Sequence, residues 1–432
     1  METNNEIRKN DSFIMKNISS LKVAVIGIVA LLLLIPLAMV DDLAGDRERA
    51  ADKAAQEVGN MWSNPQIIAG PMLVSEVEGK LYTILPETLN VDGTINTETR
   101  KRGIFDVVVY HSNLKIDGTF VFSDEMMSVV EKMRGDDFQF FIGISDLRGI
   151  EENVTVSVGD GSYYLSSGSG NISDNSGIRT LVKIRKESIQ AGTPIPFSTA
   201  IKLKGSKSVN FAPLGNVTSV KLQSDYATPS FCGNFLPTER SVTEDGFSAV
   251  WKVLGMNRNY PQLVEQKVSS KTEFLSEEII DEAVFGVDLK VPVTQYQQTS
   301  RAVKYGILII LLVFVSAFIV EISTKKPIHI LQYFIVGLAL VLFYSLLLSI
   351  SEYLSFGIAY LIASAMTIIL LSAYFKGILH HKSAYVLTAL LVIIYAFIYI
   401  LLQMEVYALL VGSLGLFVIM GCIMYFTRTL SK

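Results

Sequence analysis

Cysteine and histidine are nearly missing from this chain: 2 Cys and 4 His in 432 residues. Cys232 lies in a long middle block and Cys422 in the last apolar run, so no intramolecular disulfide framework can support the fold. The four histidines, His111, His329, His380 and His381, form no H-E-x-x-H and meet no paired-cysteine motif. The usual zinc ligand sets are therefore missing, and no metal or other cofactor is expected. There is no G-x-x-x-x-G-K-S/T phosphate loop, and Gly168-Ser169-Gly170 is not the G-x-S-x-G of a nucleophile elbow. Ser323 and Lys326 flank the end of an apolar run, where nothing desolvates the lysine. Charged residues make up only 18% and the net charge is −4, which leaves no bulk attraction for nucleic acid.

Long apolar runs are abundant instead. Six divide the chain: Val23–Val40, Tyr305–Ile322, Ile328–Ile350, Leu354–Phe375, Ala384–Leu402 and Val406–Phe426. Each is long enough for a membrane helix, and none carries Lys, Arg or Asp in its middle, where a charge costs about 2.5–3.5 kcal/mol. The expected fold class is therefore a membrane α-helical protein with six transmembrane helices. A large, mainly β extracytoplasmic domain is inserted between helices one and two.

Basic residues set the orientation. Arg8, Lys9, Lys16 and Lys22 precede the first helix, and Lys325 and Lys326 follow the second. Lys376, His380, His381 and Lys382 lie between the fourth and fifth, and Arg428 and Lys432 follow the sixth. The alternate connections carry Glu352 and Glu405. The positive-inside rule places both termini in the cytoplasm. The divisions are then a cytoplasmic tail (1–22), a first helix (23–40), an outer domain (41–303), a five-helix bundle (304–427) and a cytoplasmic end (428–432). The first run is too long for a signal-peptide core and no A-x-A site follows Pro36, so it reads as an uncleaved anchor.

Asp41–Trp62 continues the first helix outward until Asn64 and Pro65 stop it. The outer block then reads as strands. Met72–Val77 and Lys80–Leu85 flank Glu78-Gly79 as a hairpin. Phe105–Tyr110, Leu114–Phe122, Ile201–Lys204 and Val217–Leu222 carry strand composition or period-2 patterning. Glu125–Met133 and Glu277–Glu282 read as short helices, and Gly159–Gly177 as a loop. Leu85-Pro86, Val91 and Gly103-Ile104-Phe105 are echoed by Leu236-Pro237, Val242 and Gly246-Phe247. Leu114-Lys115-Ile116 and Leu289-Lys290-Val291 extend the echo. This spacing suggests a duplicated β-unit; chance is the alternative, since such strings recur wherever strands begin.

One set of strings is more specific. Pro229-Ser230-Phe231-Cys232-Gly233-Asn234-Phe235-Leu236-Pro237, then Arg240 and Gly246–Trp251, resembles the PSF-x-G-x-FLP-x-x-R…GF-x-A-x-W signature of the CreD family. Tyr296-Gln297-Gln298-Thr299-Ser300-Arg301-Ala302-Val303-Lys304-Tyr305 is similar to its YQ-x-T-x-RA-x-KY string. Ile144–Ile150 (ISDLRGI), Gln332-Tyr333, Gly337, Ser351-Glu352 and Glu405–Ser413 also fit. The chain departs from the family pattern at Thr294, at Ile330 and at Tyr353, where Asp, Pro and His are common. The resemblance implies a bacterial inner-membrane protein of the cell envelope, with a role in envelope integrity or stress response. The family is often linked to a two-component regulatory system. The resemblance supplies no reaction.

Charges at the membrane edge draw attention. Arg301 and Lys304 lie outside, against the positive-inside bias, level with Glu352 and Glu405. Pairing between them would explain their side; independent snorkelling to headgroups is the alternative. Glu321, at the inner end of the second helix, has Lys325, Lys376 and His329 as candidate partners. Trp251, Phe235 and Pro237 are expected to serve packing. The expected function is non-enzymatic, with the outer domain binding an envelope protein or cell-wall component beside the lipid bilayer. A transporter or channel in the five-helix bundle is one alternative. A membrane enzyme acting on lipid or cell wall is another.

Overall fold

The computed structural model describes residues 21–133, 135–168, 176–267, 283–289, 295–324, 326–379, 381–404 and 408–427. It divides into two compact units, Met1–Ala50 with Val293–Lys432, and Ala51–Pro292. One helix, α1 (Leu21–Trp62), runs through the division. Pro36 has no N–H to return to the preceding turn. The ladder continues around it, with Leu33 N donating to Val29 O and Leu37 N to Leu33 O.

In the second unit, β1 (Gln66–Val77) and β2 (Lys80–Ile84) form the expected hairpin. Glu78 and Gly79 both have positive φ, 53° and 76°, the twist that a two-residue turn between antiparallel strands requires. β3 (Thr88–Arg102) and β4 (Phe105–Val121) pair along their whole length, from Thr88↔Thr119 to Arg102↔Phe105. The helix α2 (Asp124–Lys132) starts on Ser123, whose hydroxyl accepts from Met126 N. Then come β5 (Asp137–Ile144), β6 (Thr155–Val158), β7 (Gly161–Tyr164), β8 (Ser166–Ser167), β9 (Gly177–Lys183) and β10 (Pro194–Ser206). The chain continues with β11 (Ser208–Phe211), β12 (Val217–Ser224), β13 (Ser230–Gly233), β14 (Glu239–Thr243), β15 (Gly246–Leu254), β16 (Leu263–Lys267) and β17 (Phe285–Asp288).

These strands make two sheets. One runs β13-β17-β11-β1-β5-β9-β8, with β2 on β1 and β16 on β2; the other runs β14-β15-β12-β3-β4-β10-β6-β7. Each has one parallel pair, β1 with β11 and β3 with β12, among antiparallel neighbours. Both sheets feed a single core. Phe140 of the first sheet meets Phe120 and Phe197 of the second at ring distances of 6.4 and 6.2 Å. With no disulfide, this face-to-face burial of aromatic and branched side chains is what holds the sandwich.

Two differences from the sequence reading have clear causes. Phe105–Tyr110 and Leu114–Phe122 are one strand, β4, because the polar residues between them remain in the ladder. Val107–Tyr110 is buried without alternation because both faces are covered: Val107 and Val109 pack on Val58 near the end of α1, with Ala55 and Trp62 beside them. The expected loop Gly159–Gly177 contains β7 and β8, whose Ser, Gly and Tyr carry little strand signal. Its residues 169–175, and the helix expected at 277–282, lie outside the described residues. Both Leu-Pro steps lead into hairpins of the same sheet, β3–β4 and β14–β15. The third echo is not equivalent, since Leu114 lies within β4 and Leu289 follows β17 of the other sheet.

The first unit holds the start of α1 and the helices α3 (Gln295–Lys304), α4 (Gly306–Thr324), α5 (Ile330–Ser351), α6 (Phe356–Ile378), α7 (His381–Gln403) and α8 (Ala408–Thr427). Five helices among the described residues are long and apolar enough to cross a membrane: α1, α4, α5, α6 and Lys382–Gln403 of α7. Large apolar side chains on them stay exposed, such as Ile369 at 69% and Ile393 at 64%, as a surface facing hydrocarbon requires. Leu33 of α1 is fully buried against Gly337 of α5, where any Cβ would collide with its side chain. The sequence reading did not separate α3 from the apolar run that follows. Its buried residues, Tyr296, Thr299, Ala302 and Val303, recur at helical spacing, and the ladder breaks at Tyr305.

Candidate functional site

The polar side chains of the membrane unit gather at two levels. At the first, Glu321 of α4 is buried and accepts from Lys22 Nζ on α1 and from Tyr333 Oη on α5, the latter at 2.9 Å. Lys22 also donates to Ile328 O at 2.7 Å. Three helices are thus joined through one carboxylate. The partners expected for Glu321 were Lys325, Lys376 and His329. The described contacts give Lys22 and Tyr333 instead, because α1 returns against α4 and α5; Lys325 lies outside the described residues. His329 caps α5: its Nδ1 accepts from Leu331 N at 3.2 Å, while Gln332 accepts from His329 N at 2.9 Å.

At the second level, Arg47 of α1 pairs with Glu352 at 3.1 Å, the carboxylate side chain only 11% exposed. Ser300 donates to Asp41 at 2.5 Å and Gln297 to Glu48 at 2.6 Å. Tyr296 is buried beside them; burial pushes its phenol up, and the nearby Glu352 carboxylate adds to this. Lys22 and Arg47 stand about 37 Å apart along the helix at about 1.5 Å per residue, enough to bracket a hydrocarbon core of about 30 Å. The sequence reading matches Arg301 and Lys304 with Glu352 or Glu405. Glu352 pairs with Arg47, a third basic residue that the continued helix α1 brings to that level. Arg301 and Lys304 lie on the exposed face of α3, and Glu405 is outside the described residues.

In the β unit the signature strings converge on one aromatic cluster. Trp251 of β15 is fully buried, and its indole N–H donates to Phe235 O at 3.1 Å. Phe231 and Phe285 stand 5.7 and 5.8 Å from it, Phe231 meets Phe247 edge-on at 5.8 Å, and Phe235 meets Phe285 at 6.0 Å. Gly233 has φ +89°, and a Cβ there would strike the backbone of Val284 and Phe285, so the glycine lets β13 lie against β17. Pro229 and Pro237 are half-buried; Ser230, Leu236 and Arg240 are exposed.

The ISDLRGI string builds the junction between α1 and the sandwich. Asp146 takes Arg148 Nε at 2.9 Å and Nη2 at 2.6 Å, with Asn64 N at 2.9 Å. Arg148 Nη1 reaches Asn60 O on the last turn of α1 at 2.5 Å. The Arg148 fork, opposed by burial and helped by backbone N–H groups, holds the Asp146 carboxyl down to about 2. Gln66, fully buried, donates to Ser63 Oγ at 2.8 Å and Asp146 O at 3.0 Å. Arg100 and Lys204 lie over the ring of Trp62 at 4.3 and 4.8 Å. These roles were unread in the sequence, although Asp41 and Glu48, seven apart on a continued helix, were a legible signal for the α3 contacts.

Among the described residues, no three His, Cys, Asp or Glu side chains gather to hold a metal ion. A cleft of about 710 Å³ opens in the β unit where α2 begins, lined by Glu87, Ser123, Asp124, Glu125 and Gln262 among others.

Comparison with known proteins places the chain. A solved M1 zinc metallopeptidase from Deinococcus radiodurans covers 40% of it and 39% of that chain at 7% identity, with a TM-score of 0.21, too low to carry an argument. Inner membrane protein CreD of Escherichia coli (strain K12) is 30% identical over 422 residues, 93% of this chain and 90% of that protein. The profile of the family described as Inner membrane protein CreD matches residues 19–431. With its apolar helices and large β unit, the chain belongs to the CreD family of inner membrane proteins.

Proposed function

We propose that this protein maintains the cell envelope without catalysis, as a multi-pass anchor whose β unit binds an envelope protein or a cell-wall component. In this reading α8 is a sixth spanning helix, both termini are cytoplasmic and residues 41–303 are extracytoplasmic. The loop charges support that orientation. The observation that carries the binding reading is the cleft beside α2. Its volume of about 710 Å³ falls in the range of ligand-binding sites. Ser123 within it is engaged in capping α2, which suits a recognition surface better than a nucleophile.

The test is photo-crosslinking in living cells from Glu125 and from Gln262, with Asn90 on the exposed sheet face as control. Specific adducts from the two cleft positions alone support the proposal. Adducts from Asn90 alone, or turnover of lipid or cell-wall precursors by the purified protein, would overturn it.

A further inference from the structure

An apolar groove of about 390 Å³ opens in the membrane unit beside the Glu321 cluster. Leu21 and Val25 of α1 form one wall, and Ile328, His329 and Ile330 the other, with Lys22 between them. Its polar groups are of one kind. Lys22 gives two of its three N–H bonds to Glu321 and Ile328 O. Among the described residues no acceptor takes the third. His329 accepts at Nδ1, which leaves the proton on Nε2 as a donor. Lys326 is exposed just before Pro327. The start of α5 adds the positive end of its dipole and the N–H of Ile330, those of His329, Leu331 and Gln332 being taken by the cap. The Glu321 carboxylate is already held by Lys22 and Tyr333.

We infer that this groove binds an anionic phospholipid of the surrounding leaflet. Lys22, Lys326 and His329 would meet the phosphate, and an acyl chain would lie along Leu21, Val25, Ile328 and Ile330. The charge is complementary to a phosphodiester, and the apolar walls at a helix end are complementary to a chain already present in the bilayer. A free phosphate would leave those walls empty. The inference rests on the membrane placement of the helices and not on the proposed binding by the β unit.

The test uses the full chain purified in detergent, with bound lipid counted by native mass spectrometry. Phosphatidylglycerol and phosphatidylcholine of identical acyl chains are compared, with inorganic phosphate as competitor. Phosphatidylglycerol should bind about tenfold more tightly. Val25→Trp and Ile330→Trp, which fill the groove from opposite walls, should each abolish that excess at an unchanged melting temperature. Lys326→Gln with His329→Asn, where Asn keeps a capping acceptor, should reduce phosphatidylglycerol to the phosphatidylcholine level. Equal binding of the two lipids would overturn the inference, as would retention in both Trp variants or full competition by phosphate. Binding that emerges only after removal of residues 2–16 would also overturn it, by showing that the chain's own start fills the groove.

Discussion

At the scale of single residues, three side chains carry separable predictions. Trp251→Ala should destabilise the protein by about 3–5 kcal/mol, since it empties a fully buried indole site and leaves Phe235 O without its donor. Chemical denaturation of the variant reads this directly. Wild-type stability with loss of function would make Trp251 a binding residue. Asp146 should impart a pH dependence of known sign. Its carboxyl titrates near 2 in the folded protein and near 3.9 when unfolded, so the unfolded chain binds the proton first. The stabilisation is complete above about pH 5 and disappears as pH falls toward 2. The half-exposed Arg148 limits it to about 1–2 kcal/mol. Asp146→Asn should therefore lower stability at pH 7, and the difference from wild type should close in acid. Glu321 gives the third. Lys22→Ala leaves a buried carboxylate with a single phenol donor, so it should destabilise more than Lys22→Ala combined with Glu321→Gln. Equal losses in detergent melts would show that the pair is solvated.

At the scale of elements, α1 is the informative one. A double-mutant cycle on Arg47→Ala and Glu352→Ala should show coupling of about 1 kcal/mol, as a partly buried ion pair gives. The same cycle on Arg301 and Glu352 tests the pairing expected from the sequence. The contrast separates what the sequence disclosed from what it withheld. Apolar runs located α4 to α7 to within a few residues, because hydrocarbon imposes one length and one composition. The charges at the right level were also legible, but Arg47 as a partner of Glu352 was not. Partner choice depends on which helices lie side by side, and nothing local to Glu352 encodes that. The strands divided similarly. β10 and β12 alternate visibly, whereas Val107–Tyr110 lost its alternation to a helix packed on its outer face, and β7 is too polar to show one. The signature strings were recognisable as strings. Their convergence on Trp251 is a tertiary fact, made by β13 and β15 reaching Phe285 from the two sheets.

At the scale of the whole molecule, the proposed topology predicts the outcome of three reporter fusions. A reporter active only outside the cytoplasm should work after Lys80, and be silent after Lys376 and at the C-terminus. Activity at the C-terminus would remove α8 as a spanning helix. The β unit, residues 51–292, should melt cooperatively with a β-type circular dichroism spectrum when released from its helices, because its core is its own. The pairing order in that unit also bears on its synthesis. β1 leaves the ribosome early, but its parallel neighbour β11 follows only after Val209, and β11 must then wait for β17 at Phe285–Asp288. Trp251 likewise lacks Phe285 until that moment. Under the proposed topology, most of the sandwich crosses the membrane before the sheet of β1, β11 and β17 can close. A nascent chain arrested before Phe285 should therefore stay open to protease and dependent on a holding chaperone. One arrested after Leu289 should become resistant, so completion of the β unit and emergence of the second membrane helix are nearly simultaneous events in the life of the chain.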